Sequence, residues 1–426
     1  RIIKNRRGAT LAAVLAGLAA PILMASCGWD DHNRSDRFFS VDSASNMLTS
    51  CEPKAVLFTG GDNDSFPLWY AQDAEGHRTD VRALVLGYLN GDWYIDQTTR
   101  KVYESDSLSY TLPQDKYRQG GPNDYLPFVN AKIESMDAEE FLRLIADDNP
   151  LLKRGNVNIV PSKTITISVD KKAVLSGGII PEEFKDLVVD KMELRLLDDH
   201  LEKRDLVFLD LLVTSNWQRP IYLNNTSLSQ LGLDLRPYIV QEGNAYRVLP
   251  VKNPDPESNL VHTARSYDLM LNQFRYRGLD DPNVYYNDDY KIQVMTHRSN
   301  LNSVAQALLD EGEARKAEEV LLFSLDRMPD EAIPYDPSAP DTVSLLFKVG
   351  QMKKAIGVAQ VICERSTEVA DYLLAKDDLG FELRKNLFLL GTVQRTLFEN
   401  GENDLAVRYE ANYERLIAEL QRRMKG

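Results

Sequence analysis

The chain has 426 residues, 43% hydrophobic and 27% charged, the balance of a folded globular protein with room for two or three domains. A net charge of −14, with no basic tract beyond the first seven residues, excludes nucleic acid as the main partner. The three cysteines, Cys27, Cys51 and Cys363, show no CxxC or Cys/His spacing, which excludes a structural zinc site.

The first predicted element is apolar. Residues 1–7 (RIIKNRR) carry four basic side chains, and Gly8 to Ser26 carry no charge. A stretch of that length, roughly 20 residues, crosses a bilayer as a helix, with Pro21 as a kink. The positive-inside bias puts Arg1 to Arg7 in the cytoplasm and residues 29–426 outside, as in an inner-membrane protein with a periplasmic body. Two other readings fit the same stretch. One is a signal peptide, in which Met24-Ala25-Ser26-Cys27 is a lipoprotein cleavage box and Cys27 is lipidated. The other is a buried core helix. The chain starts with Arg1 rather than a methionine, which favours the membrane helix as the last of a longer membrane domain. Cys27 and Cys51 could pair in an oxidising compartment, but free thiols are the simpler reading.

After the polar stretch 30–37, a helix over Val41 to Thr49 leads into a buried strand, Ala55-Val56-Leu57-Phe58. That strand ends in Thr59-Gly60-Gly61-Asp62-Asn63-Asp64-Ser65-Phe66-Pro67-Leu68-Trp69-Tyr70, the most informative run in the chain. Two glycines and two carboxylates at a strand end mark where an open α/β sheet places its ligand crevice. Gly61, Asp62, Asn63 and Asp64 are therefore the candidate ligand loop, and Asp62 with Asp64 a candidate site for a divalent cation. The plainer reading is a tight turn with Asp64 or Ser65 capping the next helix. A second strand over 80–89, one helix later, predicts a βαβ unit with a parallel pair. Trp69, Tyr70 and Trp93, together with Tyr94, form a candidate aromatic platform for a sugar or peptide; core packing is the alternative.

The middle is less regular. Residues 100–136 read as a long loop with short strands, and 157–169 as a strand or hairpin broken at Pro161. A helix is predicted over Pro181 to Lys203 and another over Asp205 to Ser215. Arg219 to Leu223 reads as a sheet strand. Tyr238 to Val240 and Tyr246 to Val251 read as an antiparallel pair turned by Gly243-Asn244. Residues 253–288, with their prolines, read as a surface linker.

From Asp289 helical periodicity takes over, with a repeat. Gly312-x4-Ala317, Gly350-x4-Ala355 and Gly401-x4-Ala406 each sit between two amphipathic segments. The spacing resembles the tetratricopeptide repeat, in which the glycine makes the turn and the alanine lets two helices approach. The units are degenerate, because only the first carries the closing proline, Pro329.

Enzyme signatures are missing: there is no GxSxG, GxxxxGK[ST], HExxH or GxGxxG. The five histidines, His32, His77, His200, His262 and His297, form no triad order. Carboxylate pairs remain as candidates: Asp30-Asp31, Asp62/Asp64, Asp92/Asp96 and Asp288-Asp289. An Asp-x-Asp after a strand is also how metal-dependent nucleotide-sugar transferases hold a cation against a diphosphate.

A family resemblance emerges from the order of motifs. Trp29-x-Asp31-His32-x-Arg34-Ser35 is followed by the Leu57 to Tyr70 run, Arg78-Thr79-Asp80-Val81-Arg82 and Asn90-x-Asp92-Trp93-Tyr94-Ile95. Asn216-Trp217-x-Arg219-Pro220-Ile221-Tyr222 and Ala245-Tyr246-Arg247-Val248-x-Pro250-Val251 come later. Together they resemble the C-terminal part of a multi-pass bacterial membrane-protein family, common in Bacteroidota, that looks like the protein O-mannosyltransferases. The resemblance implies a polyprenyl-linked sugar donor and catalytic carboxylates in an N-terminal membrane half that this sequence does not contain. It implies an α/β class of fold in parts: 1–28 a transmembrane helix, 29–255 a mixed α/β, Rossmann-like extracytoplasmic domain, 256–288 a linker, and 289–426 tetratricopeptide-like repeats. Three short stretches, Asp42-Ser43-Ala44, Asp106-Ser107-Leu108 and Asp341-Thr342-Val343, match the loose O-glycosylation acceptor pattern of that phylum. The function expected is binding of an acceptor or partner protein beside a membrane glycosyltransferase site. The alternatives are a protein-binding scaffold unrelated to glycosylation and a metal-dependent transferase acting through Asp62 and Asp64.

Overall fold

A computed structural model describes residues 6–425. Arg1 and Lys4, which enter the positive-inside argument, lie outside the described residues. The uncharged run folds as one helix, α1 (Arg6–Cys27), with Pro21 inside it. Over Arg7–Cys27 its mean hydropathy is 2.0 and none of it is buried. The core-helix reading therefore fails, because nothing among the described residues covers this apolar surface. Length and composition fit a membrane anchor or a signal sequence. Cys27 is exposed at its end, while Cys51 and Cys363 are buried, and all three are free.

The body opens with α2 (Phe39–Ser50), followed by β1 (Val56–Thr59), α3 (Asp62–Asp73) and β2 (Arg82–Val85). β1 and β2 pair in parallel, Val56 opposite Arg82 through Thr59 opposite Val85, so the expected βαβ unit is present. The second strand is shorter than its apolar run. At Leu86 the chain coils into a 3-10 turn through Asn90 before α4 (Asp92–Thr98).

The middle holds a second sheet that composition did not reveal. β3 (Met136–Asp137) runs into α5 (Ala138–Ala146), and β4 (Thr164–Ser168) and β5 (Lys191–Leu196) follow. Next come α6 (Lys203–Ser215), β6 (Ile221–Leu223), α7 (Asn225–Gln230), β7 (Leu233–Asp234), β8 (Ile239–Glu242) and β9 (Ala245–Val248). The second sheet has the order β7-β5-β4-β3. The helix expected over Pro181 to Lys203 is thus wrong. After a short 3-10 turn (Glu182–Leu187), Lys191 to Leu196 pairs along its length with β4. Met192, Leu194 and Leu196 are buried while Lys191, Glu193 and Arg195 are exposed, the period of a half-buried strand. Lys, Met, Glu, Leu and Arg are all good helix formers, and burial against β4 outweighs that preference.

The main sheet has the order β8-β9-β6-β1-β2. β6 lies parallel to β1, and β8 and β9 are the antiparallel pair expected around Gly243-Asn244. Both faces are covered. Val56, Phe58, Ile221 and Leu223 enter the large core with α6, where Phe58 meets Phe208 edge-on at 5.2 Å. Leu57, Tyr222 and Ala245 enter a smaller core under α2 and α3, with Leu48, Leu68 and Ala71.

Residues 256–288 are not a free surface linker. They contain α8 (Thr263–Asp268) and a π-helical turn (Leu269–Gln273), and Val261, Met270, Tyr276, Leu279, Val284 and Tyr286 are buried. The prolines and aspartates only turn the chain between these apolar anchors. The anchors join one core with Phe39 of α2 and with the helices that follow: α9 (Asp288–Asp310), α10 (Ala314–Arg327), α11 (Ala339–Lys348), α12 (Met352–Ala375), α13 (Phe381–Glu399) and α14 (Asn403–Lys425). At the turns α9–α10, α11–α12 and α13–α14, Gly312, Gly350 and Gly401 take φ of 80, 80 and 83°. That left-handed conformation satisfies helix-end carbonyls at little cost only for glycine. Ala317, Ala355 and Ala406 are each fully buried, as their spacing from the glycines suggests.

Candidate functional site

The central strand β1 has parallel neighbours on both sides, and the chain leaves β1 and β6 in opposite directions across the sheet. The carboxyl ends of two such strands diverge and leave a crevice. β1 exits through Gly60-Gly61 into α3, and β6 exits through Asn224 into α7. The two exits are tied together. Ser227 Oγ donates to Phe58 O (2.8 Å), and Gln230 Nε2 donates to Gly60 O (2.9 Å). A Cβ on Gly60 would lie 2.4 Å from Thr226 Cγ2 and 2.7 Å from Thr226 C, so only glycine fits there. Gly61 has open space and an extended φ of −155°; it is the N-cap residue of α3, with no side-chain cap from Asp64 or Ser65. Ser65 Oγ instead bonds back to Gly61 O (2.7 Å) and to Thr59 Oγ1 (2.6 Å), which stiffens the loop.

Behind this corner lies a cavity of about 50 Å³. Asn63 and Asp64 line it from α3, with Ser43, Ala44 and Met47 from α2. Asn224 to Thr226, Asn244, and Gln293, Thr296 and His297 of α9 close the other side. His297 looks solitary in the sequence, and it stands more than 200 positions from the loop it faces. Burial pushes its imidazole down to about 4, so the ring is neutral at pH 7.

The structure separates the paired aspartates. Asp64 faces the cavity, whereas Asp62 is exposed and accepts a long hydrogen bond from Tyr88 Oη (3.4 Å). Residues two apart on a helix point to nearly opposite sides, so the two carboxylates do not converge on one point. Among the described residues no three His, Cys, Asp or Glu side chains gather as a metal site. Asp92 and Asp96 both face Arg118, at 3.8 and 3.0 Å.

The aromatic residues fall into two groups. Trp69 stacks on Phe66 at 5.4 Å, while Trp93 packs near Tyr88 (6.2 Å) and against Tyr94 (5.4 Å). Tyr94 is buried, and its hydroxyl accepts the Val85 N–H (3.0 Å). Tyr70 and Trp93 are more than half exposed. Asp62 and Tyr88 link the glycine–aspartate loop to the Trp93 group.

A second polar centre was not legible in the sequence. Glu242, fully buried at the end of β8, accepts Tyr222 Oη at 2.5 Å. Arg265 Nε and His262 Nδ1 lie 3.2 Å from it, and Arg247 lies at 3.5 Å. Burial raises its carboxyl, but the hydrogen bond with His262 and the charges of Arg247 and Arg265 hold it below the usual glutamate value. The same Tyr222 hydroxyl is pushed well up by burial and by Glu242. This cluster holds β6, β8 and β9 to α8 and, through Arg265 and Glu52, to the end of α2. A single glutamate before Gly243 carries no sequence signal of such a role.

α9 docks on the sheet through amides. Tyr246 Oη donates to Asn300 Oδ1 (3.1 Å), Asn300 Nδ2 to Asn244 Oδ1 (3.1 Å), and Gln241 Nε2 to Asn300 O (3.0 Å).

A family model described as TMEM260-associated domain 2 matches residues 40–265, more than half of the chain. The match takes in the glycine–aspartate loop, the β6 corner and the β8–β9 hairpin, and it stops in α8, before the α9 wall of the cavity. Neither the curated proteins nor the solved structures gave a match.

Proposed function

The chain belongs to the TMEM260-associated domain 2 family, and from that membership we propose that residues 29–426 form the extracytoplasmic part of a glycosyltransferase-like membrane protein, similar to the protein O-mannosyltransferases. Their task is to hold an acceptor protein or partner subunit beside a membrane-embedded catalytic site formed outside these residues. The observation that carries the reading is the family match, because it spans the main sheet and the loop at its centre as one unit.

Two features support it. α1 is long and apolar enough to cross a bilayer, and its surface has no cover among the described residues. The three helical hairpins, taken as degenerate tetratricopeptide-like repeats, leave large apolar side chains in solvent. Phe381 is 76% and Phe388 60% exposed, seven residues apart on one face of α13. Exposed aromatic side chains aligned in this way are what partner surfaces use.

The test has two arms. In cells lacking the gene, the profile of envelope glycoproteins should change; an unchanged profile removes glycosylation from the reading. Cross-linking with the intact chain should capture an envelope protein, and the double substitution Phe381→Ser, Phe388→Ser should abolish that capture while the protein stays folded. Capture undiminished by the double substitution removes the helices from the recruiting role.

A further inference from the structure

Two side chains that line the cavity each carry a buried polar atom with no partner among the described residues: Nε2 of His297 and Nδ2 of Asn244. Each belongs to a side chain only 4% exposed. Their neighbours assign the role of each. His297 Nδ1 lies 3.2 Å from the Gln293 carbonyl, so it carries the proton and Nε2 is left as an acceptor. The Tyr246 hydroxyl donates to Asn300 Oδ1, and Asn300 Nδ2 donates to Asn244 Oδ1, which leaves the Asn244 amino group as a free donor. Burying one acceptor and one donor unpaired is costly, and a folded chain tolerates it mainly where a ligand or water completes the bonds.

The rest of the wall narrows the chemistry. Asp64 adds a carboxylate, Asn63 an amide and Thr226 a hydroxyl, while Ala44 and Met47 add apolar surface. No lysine or arginine is among the described residues that line the cavity. A phosphate or carboxylate would find no counter-charge and would meet Asp64. A hydroxyl both donates and accepts, which is what His297, Asp64 and Asn244 together require. The volume, about 50 Å³, suits the hydroxyl edge of one ring and not an oligosaccharide.

We infer that this cavity is a binding site for one edge of a neutral polyhydroxylated ligand, a single sugar unit, whose hydroxyls donate to His297 and Asp64 and accept from Asn244, with the C–H groups of that edge against Ala44 and Met47. The site takes such a ligand whether or not the helices recruit a protein.

Saturation-transfer NMR on the full chain in detergent tests it, with methyl glycosides of neutral hexoses beside the anionic sugars glucuronate and glucose 6-phosphate. Transfer should reach at least one neutral hexose and none of the charged sugars. Ser43 is half-buried in the cavity wall, so Ser43→Phe plugs the cavity and should remove the signal. His297→Phe keeps a ring in place but removes the acceptor, and should weaken binding by about fivefold. The inference is overturned if no neutral hexose shows transfer, in which case the cavity holds water alone. It is equally overturned if charged sugars bind as well, or if Ser43→Phe leaves the signal intact. Thermal melts establish that the variants fold; should they not, the contrast between neutral and charged sugars on the unaltered chain decides.

Discussion

His297 and Glu242 are buried in opposite charge states, and they divide the acid response of the fold between them. His297 titrates at about 4 in the folded protein against 6.5 in an unfolded chain. Between those values the unfolded chain binds the extra proton, so stability is lost as pH falls from 6.5 towards 4, by up to about 3 kcal/mol. His297→Phe should flatten that part of the profile in urea titrations at pH 7 and pH 5. Glu242 has a linkage of the same sign in a lower pH window. Its folded value is depressed, so its contribution is present above the ordinary 4.5 and is lost as pH falls below it. At pH 7, Glu242→Gln should cost about 3 kcal/mol, because Arg247 is left without its counter-charge in a buried site and Arg265 keeps only Glu52. The paired glycines of the glycine–aspartate loop also differ. Gly60→Ala forces a methyl into Thr226 and should cost about 2 kcal/mol, whereas Gly61→Ala meets open space and should cost about 0.5 kcal/mol or less. A wild-type midpoint for Gly60→Ala would mean that the two strand exits do not touch.

Elements whose physics is local are legible in the sequence alone. A strand running into two glycines, a βαβ pair and a hairpin at Gly243-Asn244 each carry their signal within a dozen residues. So do the glycine–alanine turns, where the left-handed φ at Gly312, Gly350 and Gly401 can be tested directly. Alanine at any of the three should cost about 1 kcal/mol. Gly357, exposed within α12 with nothing near it, is the control: Gly357→Ala should stabilise by about 0.5–1 kcal/mol. Elements whose identity depends on distant partners are not legible in that way. Lys191 to Leu196 is a strand only because β4 lies beside it. The cavity needs His297 and Asn244 brought to Asp64 from far along the chain, and no spacing rule encodes that meeting. Asp62 and Asp64 look like a pair in sequence, but helix geometry turns them apart.

At the scale of the molecule, the sheet and the helices share a buried seam, so there is no free hinge at 256–288. Asn300 bridges to Tyr246, Asn244 and Gln241, and Asp42 pairs with Arg277 at 2.5 Å. Limited trypsin digestion should therefore cut after exposed Lys252 well before Arg265 or Arg277, both held in ion pairs. Early cleavage at Arg265 or Arg277 would restore the linker. The short connection after α1 has its own consequence. Residues 28–38 are all that separate α1 from α2, and one turn of them, Trp29–His32, is helical. Even stretched they reach no more than about 40 Å. With α1 in a bilayer, the body is on a leash of that length, and it samples a thin layer above the lipid instead of the whole compartment. Anything else embedded in the same patch then meets it at an effective concentration on the order of millimolar. A partner in that layer needs only a weak grip, and weak grips let go quickly enough to be used again.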